Sequence, residues 1–163
     1  MFGRSQLSAV RSAPLERAAD LLAAAEGQAR AGALAESAAS LELAVDAAMR
    51  EDQPPLMADA LRQLAVVCHH RDEKARAQEL AQRSLGLATE LGDELRAAQA
   101  LNALAGFDFE QGSMDSARRR FQRALALGGT HDAVRGKVFV EYLSLLKQQR
   151  IRVKLSKQLR RSA

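Results

Sequence analysis

Apolar and small residues recur along this chain at helical spacing, and the pattern itself recurs. Leu101, Leu104, Ala105 and Phe109 share one face of a helix, as do Ala117, Phe121, Ala124 and Leu125. Gly112 separates the two runs, and Ser113 or Asp115 is placed to cap the second by accepting from its free N–H groups. Gly128 and Gly129 end it. The segment therefore predicts two antiparallel helices joined by a tight turn.

The same pattern appears twice more when the chain is laid on itself with an offset of 40. Leu21, Leu61 and Leu101 then coincide, as do Ala25, Ala65 and Ala105. Small residues coincide at Ser37, Ala77 and Ala117, and again at Ala44, Ser84 and Ala124. Leu41, Ala81 and Phe121 align, and Val45, Leu85 and Leu125 follow. Small residues let two helices cross closely, while the larger ones fill the spaces between them. A helix pair of this length cannot bury its apolar face alone, so successive pairs must stack. The expected fold is all-α, an α-solenoid of about three antiparallel helix pairs. A lead-in over residues 1–12 precedes pairs at 13–52, 53–92 and 93–129, which together occupy 13–131. Ser12 and Pro14 mark the first start, Pro54 and Pro55 the second, and Gly92 a helix end.

Past Thr130 the repeat pattern fails. Thr130 can cap a helix opening at Asp132, with Val138, Tyr142, Leu145 and Leu146 as its apolar face. This reads as a capping helix over 130–149, followed by a basic tail over 150–163. Ile151, Leu155 and Leu159 recur every fourth residue, so the tail can stay helical.

Composition agrees with helices. The chain has 33 alanines among 163 residues and no Trp, and aromatic residues make up 4%. That suits close-packed helices better than strands, which favour β-branched and aromatic residues. Cys68 is the single cysteine, so an internal disulfide and a four-thiolate zinc site are excluded, and a reducing, cytoplasmic compartment is favoured. No apolar run approaches a membrane span. Residues 1–17 carry Arg4, Arg11 and Arg17 without a continuous apolar block, which reads as a lead-in rather than a secretory signal. The net charge of +4 is unevenly placed: residues 1–134 hold 15 basic and 19 acidic side chains, residues 135–163 hold 9 and 1.

Leu104, Ala105, Gly112, Ala117, Phe121 and Ala124 stand at the spacings of the tetratricopeptide repeat, and residues 15–130 resemble that family. The period of 40 resembles its longer variety, frequent in bacterial regulatory and scaffold proteins, rather than the common form of about 34 residues. The resemblance implies that the first helix of each pair faces a concave groove. Arg62, His69, His70, Gln99, Asn102, Phe109 and Glu110 would line it, with Leu22, Glu26 and Arg30 from the first pair. Such a surface, with an exposed ring at Phe109, suits an extended peptide or a partner helix.

No catalytic constellation emerges. There is no phosphate-binding glycine loop, no HExxH and no GxSxG. Cys68, His69 and His70 are good ligand types, but neighbours on a helix point about 100° apart and do not converge on one ion. Neither metal nor cofactor is expected. Arg118, Arg119, Arg120 and Arg123 read mainly as a solvated outer face.

In the tail, Arg150, Arg152, Lys154, Lys157, Arg160 and Arg161 fall within twelve residues. They read as a solvated helix end, a contact for an acidic protein, or a contact for nucleic acid or an anionic membrane surface. The leading functional expectation is a non-enzymatic scaffold or adaptor that holds a protein or peptide in the groove. The alternative is a nucleic-acid-associated adaptor that uses the tail for phosphate contacts. A homo-oligomer would cover apolar ends of the short stack.

Overall fold

The computed structural model describes residues 17–128 and 132–161. Seven helices follow one another: α1 (Ala18–Arg30), α2 (Leu34–Arg50), α3 (Pro54–His70), α4 (Lys74–Glu90), α5 (Glu94–Glu110), α6 (Met114–Leu127) and α7 (Asp132–Arg161). No strand occurs among the described residues. The helices pack as three antiparallel hairpins, α1/α2, α3/α4 and α5/α6, with α7 against the last.

Every helix from α1 to α5 ends the same way. Residues 32, 52, 72, 92 and 112 lie in the left-handed region, at φ between 51° and 81°. At each turn the next N–H reaches back five residues, as in Ala33 to Gln28, Asp93 to Ala88 and Ser113 to Asp108. These are Schellman ends, which satisfy carbonyls left free at a helix terminus. Three of the five residues are the glycines at 32, 92 and 112. The other two, Asp52 and Asp72, are of a type whose short polar side chain tolerates this backbone. The turns therefore recur every 20 residues, half the sequence period, and each helix reverses onto the last.

The small residues stand where the repeat pattern requires close crossing. Ala44, Ala65, Ala77, Ala105, Ala117 and Ala124 are fully buried. Ser37 donates to the carbonyl of Ala25 at 2.9 Å, and Ser84 donates to that of Ala58 at 2.8 Å. Each hydroxyl ties a second helix to the backbone of its own first helix in the buried interface. One core cluster runs through the first two hairpins as far as Leu104 and Phe107. A second is built from Leu101, Ala105, Ala117, Phe121, Ala124, Val138 and Leu145.

Capping departs from the sequence expectation. Neither Ser113 nor Asp115 accepts a capping hydrogen bond; Ser113 is the N-cap of α6 without one, and Asp115 pairs with Arg118 at 3.3 Å. Ser12, which marks the start of the first pair, and the expected cap Thr130 lie outside the described residues. Among the described residues, the one side-chain cap is at α5, where Asp93 accepts from the backbone N–H of Arg96 at 2.9 Å. That bond, joined by the Arg96 guanidinium, holds the Asp93 carboxyl below its ordinary range. Arg96 also donates to Asp59 of α3 through two nitrogens, at 3.0 and 2.9 Å, and so ties consecutive hairpins together.

Asp93→Ala should lose about 1 kcal/mol in urea unfolding near neutral pH. A lowered folded-state pKa contributes stability that is present above the ordinary carboxylate value and is lost as pH falls through the folded one. The difference between wild type and variant should therefore shrink in acid; a difference independent of pH would remove the carboxylate from the explanation.

α7 is unbroken from Asp132 to Arg161, so the capping helix and the basic tail are a single element. It begins 38 residues after α5, whereas α5 begins 40 after α3, because α6 has 14 residues against 17 in α2 and α4. At this shorter offset Val138 and Leu145, both buried, occupy the places of Ala100 and Phe107. α7 thus takes the position of a fourth first helix, and no second helix packs over it among the described residues.

Candidate functional site

The first helices of the hairpins bring their side chains to one face of the stack. A concavity of about 540 Å³ opens there, between α3, α5 and α7. Arg62, His69, His70, Gln99, Asn102, Phe109 and Glu110, the residues expected on the concave face, all line it. The first-pair residues do not. Leu22 is buried in the core, Arg30 is exposed away from the cavity, and Glu26 accepts from Gln63 at 3.2 Å. The concavity lies toward the C-terminal end because α7 supplies its far wall.

His69 forms the structured floor. Its ring is buried and stacks on Phe107, with centroids 4.2 Å apart and planes inclined by 17°. Its Nε2 lies 2.6 Å from Glu110 Oε2, one hairpin on. A carboxylate only accepts, so Nε2 carries the proton, and Nδ1 is buried without a partner among the described residues. His70, the next residue, turns outward and is exposed.

Arg62 is half-buried, and its Nε has no hydrogen-bond partner among the described residues. Burial pushes its guanidinium below the ordinary value, against the pull of Asp59 and Glu26. Asp59 is already engaged by Arg96. At the equivalent position of α5, Asn102 is buried, with its side-chain oxygen likewise unpaired among the described residues. Buried polar groups without partners are costly, so this floor is suited to receiving a polar ligand group.

Other side chains depart from the sequence reading. Phe109 is not an exposed ring: it is half-buried and packs against the second core cluster. Phe107, which the repeat register did not single out, and Phe121 add further aromatic carbon to the lining. Lys137, Val138, Glu141 and Ser144 of α7 also line the cavity. At the offset of 38, Lys137, Glu141 and Ser144 match Gln99, Ala103 and Gly106, a correspondence that the 40-residue register does not contain.

Cys68, beside His69, is fully buried, and burial pushes its thiol up. No group of three His, Cys, Asp or Glu side chains that could hold a metal occurs among the described residues. The arginine run of α6 divides. Arg119 and Arg123 are exposed and Arg118 pairs with Asp115, but Arg120 reaches inward to Asp108 at 2.7 Å. In the tail, Arg150, Arg152 and Lys154 are exposed; the side chains of Lys157, Arg160 and Arg161 lie outside the described ones. No described helix is long and apolar enough to cross a membrane.

Stacked helix hairpins with a groove along their first helices define a helical-repeat architecture. Among solved structures, the chain is similar to BtubC (BKLC) from P. vanneervenii, with a TM-score of 0.69 and 20% sequence identity over 89% of this chain. The match spans 63% of the length of that protein. At this identity the likeness shows the fold alone. No protein-family model matches the sequence, and no curated protein matches it.

Proposed function

We propose that this chain is an interaction module of the tetratricopeptide kind, which holds a peptide or a partner helix in its groove and performs no catalysis itself. The observation that carries this reading is the convergence of seven residues from two hairpins, with α7, on one open concavity. Its walls offer an exposed imidazole, amides, a half-buried guanidinium and aromatic carbon. Such mixed chemistry suits an extended chain that presents side chains and backbone amides together. The 40-residue register and the helical-repeat architecture support the same reading.

A peptide library displayed against the full chain tests it. Peptides selected on the wild type should lose at least tenfold in affinity on combining His70→Glu with Gln99→Arg, which leave the core intact. Unchanged binding would show that the ligand sits on another face. The nucleic-acid reading rests on the basic end of α7 alone. Binding of duplex or single strands that falls steeply with salt and disappears on removing residues 150–163 would favour it.

A further inference from the structure

α7 carries an apolar face that the rest of the fold leaves uncovered. At the offset of 38, Leu143 and Leu146 stand where α5 places Ala105 and Asp108, which are buried and meet α6 through its core residues and Arg120, and Val140 stands beside them where α5 places Asn102 of the groove floor. In α7, Val140 is 63% exposed, and Leu143 and Leu146 are exposed as well. One turn further the helix has little around it. Ile151 is 58% exposed and Val153 is also exposed, with Lys147, Arg150, Arg152 and Lys154 between and beside them. An isolated helix end of this length is marginal in water, and exposed branched aliphatics add to the cost.

The position calls for a helix, because a second helix covers the same face in α3 and α5. The charge calls for an acidic one. Two α7 helices side by side would set these cations against each other, which disfavours self-pairing through α7 alone. Among the outer second helices, α2 has the required chemistry. Leu43 and Met49 are exposed on it, at 54% and 61%, beside exposed Glu36 and Asp46, neither of which is ion-paired among the described residues. α4 and α6 expose no large apolar side chain, and the outer face of α6 is basic.

We infer that the chain self-associates by docking the outer face of α2 from one copy on the uncovered face of α7 in another. Leu43 and Met49 meet Val140, Leu143 and Ile151, while Glu36 and Asp46 meet Lys147 and Lys154. The contact is between unlike surfaces of one chain. It closes as a two-fold pair when made reciprocally, and otherwise extends from copy to copy.

Sedimentation velocity on the full chain over a range of concentrations tests this. The wild type should associate, and Leu43→Glu or Leu143→Glu, each at an exposed position, should return it to a monomer with unchanged helical circular dichroism. Charge reversal gives the sharper result. Glu36→Lys with Asp46→Lys, or Lys147→Glu with Lys154→Glu, should each weaken association at least tenfold, and mixing the two variants should restore it. A wild type that stays monomeric to millimolar concentration overturns the inference. So does association indifferent to the α2 substitutions. A monomer whose α7 binds duplex nucleic acid, with binding lost on Lys147→Glu and Lys154→Glu, assigns the face to phosphates and overturns it equally.

Discussion

Phe121→Ala should cost about 3–5 kcal/mol, the range for removing a buried aromatic ring from a packed core. The ring is 1% exposed and lies at the junction of three helices. It shares a core cluster with Leu101 and Ala105 of α5, borders the groove, and meets Tyr142 of α7 with centroids 6.1 Å apart. Its neighbours Ala117 and Ala124 are too small to close the gap. In a stack where each hairpin touches only its neighbours, the damage should stay local. Hydrogen exchange should accelerate in α5, α6 and the first half of α7, while α1 to α3 keep their protection. The urea midpoint followed by circular dichroism gives the magnitude. A loss below about 1 kcal/mol would mean that the junction refills and that Phe121 is not its keystone.

The second large effect is expected at Arg120. Asp108 is buried on α5, and Arg120 Nη1 lies 2.7 Å from its Oδ2. That oxygen receives no well-aligned hydrogen bond, so charge attraction rather than bond geometry holds the pair. Arg120→Ala leaves an uncompensated buried carboxylate and should cost about 3 kcal/mol. Replacing both residues, as Asp108→Asn with Arg120→Ala, removes the stranded charge and should recover a substantial part of that loss. Chemical unfolding of the three variants and the wild type forms a double-mutant cycle. Additive effects would show that the two side chains are neighbours without coupling.

Both predictions concern residues that the sequence places on α6 and reads differently. Phe121 was legible as core, because its position repeats Leu41 and Ala81. Arg120 was not, since three consecutive arginines look alike in a sequence and only the rotation of the helix distinguishes them. The candidate groove divides in the same way. Arg62, His69 and Asn102 follow from the register of first helices. Phe107 and Phe109 sit two residues apart on one helix and both border the cavity, and packing alone decides that Phe107 is buried in the first core cluster while Phe109 lies half-buried against the second.

By itself, the sequence determined the all-helical hairpin stack. Alanine or serine at each close crossing, with glycine at three of the five turns, leaves a helix little else to do. Tertiary structure decided the end of the stack. A shorter α6 sets α7 two residues out of register, so Lys137, Glu141 and Ser144 enter the groove while Val140, Leu143 and Leu146 face outward. Two residues are about 200° of helix rotation. The apolar spacing of α7 allows more than one buried face, and the face that becomes buried is fixed only when α6 presents Phe121.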